Sequence, residues 1–196
     1  ELDNPVPLTR FFVPDLEQLD TAWIRFEFST PEKRLDLKGG IPSLSYAGII
    51  IDSLALDGQS ADALRQSLNI QAVRQDTQLL VGPTQLSTRL YRDSMDLNLL
   101  IKGGDQKTRL RLNAILEPDS NAYRVQVLPD FMLNSRPWEV SSGNSVVFSP
   151  EALQSADLRI SRNQQGIVLQ TLSPEAGAAV PPLQVRFEQF RLKEIS

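Results

Sequence analysis

Chemistry near neutral pH needs side chains that exchange protons, bind metals or attack electrophiles, and this chain carries few of them. It has no histidine and no cysteine, so the usual general base, the commonest metal ligand, thiolate nucleophiles and disulfides are all missing. What remains is carboxylate. Asp15, Glu17 and Asp20 cluster near the N-terminus, but without the run of closely spaced oxygen donors that a calcium loop uses. Asp93 with Asp96, and Glu117 with Asp119, could be drawn as the paired carboxylates of a glycoside hydrolase. Aspartate is expected at turns without any catalytic role, and these pairs lie at turns. No nucleophile elbow, phosphate-binding loop or dinucleotide fingerprint occurs. The reading is a chain that is not an enzyme and that uses no metal and no cofactor. Trp23 and Trp138 are candidate sugar-stacking platforms, which keeps a carbohydrate-binding surface module open, although burial is the commoner fate of such rings.

The elements that would position these residues are set by composition and pattern. With 196 residues, 41% hydrophobic and 22% charged, the chain is long enough for a sizeable core and fits one all-β domain over residues 1–196. Lysine and arginine are scattered and the formal net charge is −4, so no basic stripe offers itself to nucleic acid. No apolar run approaches the roughly 20 residues of a membrane-spanning helix, and the N-terminal Glu1 to Pro5 has no signal-peptide character. The expectation is an internal slice of a longer protein.

Alternation with period two dominates. Ile24, Phe26 and Phe28 alternate with Arg25 and Glu27, and Leu35 and Leu37 with Asp36 and Lys38. The pattern returns at Met95 to Ile101, Leu110 to Leu116, Tyr123 to Val127 and Leu158 to Ile160. Turn residues punctuate these runs at Thr30-Pro31, Gly39-Gly40, Asp57-Gly58, Gly82-Pro83, Gly103-Gly104, Ser120-Asn121, Ser142-Gly143-Asn144 and Asn163-Gln164. The spacing predicts an antiparallel meander of many short strands, with a bulge near Glu188-Gln189, where the apolar parity slips, and a surface loop over Ser173 to Pro182. One short helix is predicted over Pro14 to Leu19, where a proline and acids suit a helix start. Over Ser60 to Leu68 a helix competes with a strand, and the strand, continued by the alternation of Leu68, Ile70 and Ala72, wins narrowly. Trp23 falls on the polar register, at a rim or under the short helix.

An apolar sheet face must be buried against something. A second sheet would give a closed β-sandwich. The alternative is a sheet curled into an open gutter whose apolar interior takes lipid chains. The register supplies the groove candidates Ile24, Phe26, Phe28, Leu35, Leu37, Leu54, Leu56, Leu97, Leu99, Ile101, Leu110, Leu112, Leu116, Val125, Val127, Leu158, Ile160 and Phe187.

In the C-terminal third, Pro129 to Asn134, then Pro137-Trp138-Glu139-Val140 followed by Gly143-Asn144, resembles the Trp-x-Val and Gly-Asn turn of TamB-like proteins in the AsmA superfamily. Leu153 to Ile160, Gly166 to Leu172 and the Phe-x-x-Phe-x-Leu element Phe187 to Leu192 look like the successive short strands of that family. The resemblance is most specific over residues 129–195. It implies a long periplasmic protein of the Gram-negative envelope, anchored in the inner membrane, whose strands form a taco-shaped gutter. It further implies phospholipid acyl chains and flanking parts of the same protein as partners, an outer-membrane barrel assembly protein as another, and a role in lipid transport and outer-membrane biogenesis. A structural spacer of the same fold would bind no ligand. Open strand edges at either end of such a slice are expected to favour edge-to-edge self-association, chiefly through Phe187 to Ile195.

Overall fold

The computed structural model describes residues 15–60, 63–173 and 181–189. They contain sixteen strands and no helix, and all the pairings quoted below are antiparallel. The chain divides into two compact units, Glu1–Arg89 with Leu100–Lys107, and Leu90–Leu99 with Thr108–Ser196.

In the first unit, β1 (Leu16–Leu19) and β2 (Trp23–Ser29) follow one another along the same side of β3 (Arg34–Tyr46). β3 pairs with β4 (Ile49–Ser60), β4 with β5 (Leu64–Gln75), and β5 with the short β6 (Gln78–Val81). The strand reading of the ambiguous segment after Ser60 therefore holds. The short helix expected over Pro14 to Leu19 does not form where it can be seen. Leu16–Leu19 is a strand, with Leu19 opposite Leu44 and Leu16 opposite Tyr46, and Pro14 lies outside the described residues. Cross-strand apolar pairing outweighs the weak start signals of a one-turn helix, which has too few internal bonds to hold itself.

Two further expectations are corrected. Gly39-Gly40 and Asp57-Gly58 are not turns but lie inside β3 and β4. Gly40 is needed there for closeness. It faces Trp23, and a Cβ on it would come within 2.9 Å of the indole Nε1. The reversal falls instead at Ala47-Gly48, where φ of 49° and 76° makes the two-residue turn that matches strand twist. Glu17 fastens this turn by accepting from Ser45 Oγ at 2.7 Å and from the Gly48 amide at 3.1 Å.

Long strands in this unit change apolar parity partway. β3 runs from Leu35, Leu37 and Ile41 to Leu44 and Tyr46, and β4 from Ile49 and Ile51 to Leu54 and Leu56. The change comes at Pro42 and Ser53, which sit between the flanking pairs Ile41–Leu54 and Ser43–Asp52, and Ser53 has φ of 51°. A left-handed residue interrupts side-chain alternation, so sequence and backbone switch at the same level.

β7 (Thr84–Tyr91) and β8 (Ser94–Lys102) carry residues of both units. Gly82-Pro83 separates β6 from β7. A Cβ on Gly82 would collide with the Lys102 carbonyl oxygen, so only glycine fits.

In the second unit, β9 (Thr108–Asp119) pairs along one side with β10 (Ala122–Val127) and then β11 (Phe131–Leu133). β14 (Leu153–Arg162) pairs likewise with β12 (Arg136–Val140) and β13 (Ser145–Phe148). β10–β11 and β12–β13 thus behave as two long strands, each broken by a bulge, with β11–β12 as their hairpin and β10–β13 pairing at the other end. The turn Asn134-Ser135 has two positive φ angles, 50° and 60°. β15 (Gln165–Thr171) and β16 (Leu183–Glu188) complete the unit. Ser120-Asn121 and Asn163-Gln164 are hairpin turns as expected. β16 ends at Glu188, and Gln189 has φ of 45°, where the bulge was expected. Phe190, Leu192 and residues 174–180 of the expected loop lie outside the described residues.

Candidate apolar face

The two bulges of the second unit lie beside each other and would leave ladder groups unpaired in a buried place. Asn144 fills the gap. Its Oδ1 accepts from the Val127 amide at 2.8 Å, and its Nδ2 donates to the carbonyls of Val127 at 2.9 Å and Ser141 at 2.8 Å. The amide side chain thus presents to Val127 the donor and acceptor that a neighbouring strand would have supplied. Asn144 is the buried polar side chain among the described residues, as full satisfaction of a buried amide requires. The Ser142-Gly143-Asn144 signal therefore marks a bulge along one edge of β14 rather than a chain reversal.

Around this clamp the strands bring five of the groove candidates together. Val127, Phe131, Trp138 and Ile160 form a buried cluster, against which Leu110, Leu112, Leu133, Val140 and Leu158 pack. The register puts them on one face: Leu133 is opposite Leu110, Trp138 opposite Phe131, and Val140 opposite Ile160. Trp138 is 7% exposed. It is a packing residue and not a stacking platform, which removes the main ring from the carbohydrate-binding alternative. Leu116 and Val125 face each other on the same side, followed by the pair Val125–Val146. Phe187 lies opposite Ile167 and is 62% exposed. Leu97 and Leu99 are half-buried.

In the first unit, Phe26 is opposite Leu37, Phe28 opposite Leu35 and Ile24 opposite Gly39. Leu54 lies between Ile41 and Ile70, and Leu56 between Gly39 and Leu68. Ile101 is half-buried. Here the buried apolar residues among the described ones are Ala63 and Ala72. Phe26 and Phe28 are 65% and 63% exposed, although nothing in their type calls for water. Trp23 is on the polar side as its register implied, over Gly40, and no helix occurs among the described residues to cover it.

The opposite face is charged and laced with ion pairs. Arg34 contacts Asp36 at 2.7 Å and Arg74 contacts Asp52 at 3.0 Å. Hydrogen bonds from Arg34 hold the Asp36 carboxyl below its ordinary range, helped by the Arg34 charge and by Gln59. In the second unit Arg159 donates from its two terminal guanidinium nitrogens to the Glu188 carboxylate, at 3.3 and 2.5 Å, tying β14 to β16 across β15. Val168 is buried among them, opposite Arg159 and Arg186 in the register, as the aliphatic stems of arginine allow.

One member of each carboxylate pair is engaged in a structural contact. Asp96 accepts from the Tyr91 hydroxyl at 2.9 Å, and Asp119 from Arg124 at 2.6 Å. No group of three or more potential metal ligands occurs among the described residues. Register reading missed Phe131, Trp138, Ile167 and Leu169 as members of the apolar face. Their period-two spacing carried the signal, but the strands to which they belong are short and interrupted. Comparison of the chain with family models, curated proteins and solved structures found no match.

Proposed function

We propose that this chain is a non-enzymatic β-gutter segment whose apolar sheet face holds or conducts phospholipid acyl chains in the bacterial envelope. In this reading it is a slice of a long periplasmic protein, anchored in the inner membrane and serving outer-membrane biogenesis. The observation that carries it is the apolar face of the first unit, where Phe26 and Phe28 are 65% and 63% exposed. In each unit the strands form one antiparallel sheet, no helix lies among the described residues, and none of their large side chains is fully buried. A closed sandwich of this length would bury several completely. An acyl chain gains about 0.8 kcal/mol per methylene buried, so a face without directional groups suffices to hold it.

Native mass spectrometry of protein purified without detergent tests the reading, on wild type beside Leu56→Arg and Ala55→Arg. Leu56 belongs to the apolar face and Ala55 to the exposed opposite one. Wild type and Ala55→Arg should carry lipid, and Leu56→Arg should lose it while remaining folded, since its half-buried site lets a guanidinium reach water. Protein free of lipid in all three would refute the proposal and leave a spacer.

A further inference from the structure

We infer that β2 is a self-complementary docking edge through which two copies of this chain pair antiparallel about Phe26. β2 pairs only with β3 among the described residues, so no described strand takes up the backbone donors and acceptors of its other side. Its side chains are badly served within the chain. Arg25 lies directly opposite Lys38, and Glu27 directly opposite Asp36. The neighbours of opposite sign are engaged elsewhere, Asp36 by Arg34 at 2.7 Å and Lys38 by Asp57 at 3.7 Å. On the other face Ile24, Phe26 and Phe28 are each more than 60% exposed.

The order Ile24-Arg25-Phe26-Glu27-Phe28 reads with complementary sense in both directions. When Phe26 faces Phe26 of a second copy, Arg25 of each meets Glu27 of the other, and Ile24 meets Phe28. Both opposite-charge pairs and all three apolar pairs then form at once, on separate faces, and the two-fold axis closes the assembly at two copies. A two-fold axis perpendicular to the sheet keeps the apolar faces on one side. This pairing does not rest on the lipid reading, because the edge, the charge pairs and the apolar pairs across it form without any bound lipid.

The test is sedimentation equilibrium of the full chain, free of lipid, with Arg25→Glu, Glu27→Arg and the double swap. Wild type should dimerise with rising concentration. Each single variant sets like charges opposite each other twice and should weaken dimerisation about tenfold or more. The double swap should restore it, and mixing the two single variants should give heterodimers. All these positions are exposed, and circular dichroism of each variant checks that the strand content is kept. A wild type that stays monomeric at high concentration overturns the proposal, as do single variants that dimerise like wild type. Failure of the mixed singles to pair also overturns it, since an edge other than β2 of the second copy would then be the partner.

Discussion

Asn144→Ala isolates the clamp on which the second unit turns. The substitution removes three hydrogen bonds, of which the two to Val127 are buried, while the Ser141 carbonyl is part-buried and can turn to water. An unsatisfied buried backbone group costs about 1–3 kcal/mol, so two of them set the loss at about 2–6 kcal/mol. For a chain of 196 residues that lowers the melting temperature by roughly 4–24 °C. Asn144→Asp sharpens the test. Its carboxylate could still accept from the Val127 amide, yet its second oxygen would face the carbonyls of Val127 and Ser141, where a donor is needed. Burial and those carbonyls raise the folded pKa of this aspartate above its unfolded value of about 3.9. The folded state then binds the proton more tightly, so the variant keeps most stability below pH 4 and loses it as pH rises through the folded pKa. Urea unfolding followed by tryptophan fluorescence reads the second unit selectively, because Trp138 is buried and Trp23 is 52% exposed. An Asn144→Ala midpoint within about 0.5 kcal/mol of wild type, or an Asn144→Asp deficit that does not shrink in acid, would refute the assignment of Asn144 as a substitute for ladder bonding.

Leu112→Arg should behave differently from Leu56→Arg. Leu112 packs against the Trp138 cluster, so a charge there destabilises the second unit by about 2–4 kcal/mol, whereas a charge at Asn113 on the opposite face is tolerated, and thermal melts of both variants decide it. Asp36 contributes stability that is present above its unfolded pKa, because its folded pKa is depressed by Arg34. That contribution fades as pH falls through the depressed value. Asp36→Asn should therefore flatten the acid limb of the stability profile, and an unchanged limb would count against the Arg34 bond.

Much of this protein was legible in its residues, because period two is a local property. Alternating Leu110 to Leu116 and Leu158 to Ile160 defined strands and faces, and the antiparallel all-β class followed from them. Tight turns at Ser120-Asn121 and Asn163-Gln164 were equally local. Glycine misled, since Gly39-Gly40 serves the close approach of Trp23 and not a reversal, and that need arises only when β2 lies beside β3. Leu16–Leu19 misled for the same reason: its strand exists because Leu44 and Tyr46 lie across from it. Composition removed thiol and imidazole chemistry outright. Only tertiary structure decided that Trp138 is a packing centre, that Asn144 stands in for a missing stretch of ladder, and that Ile24, Phe26 and Phe28 stay exposed on β2. Each of these depends on which segment becomes a neighbour, and pairing between distant strands is not encoded in any single strand's pattern.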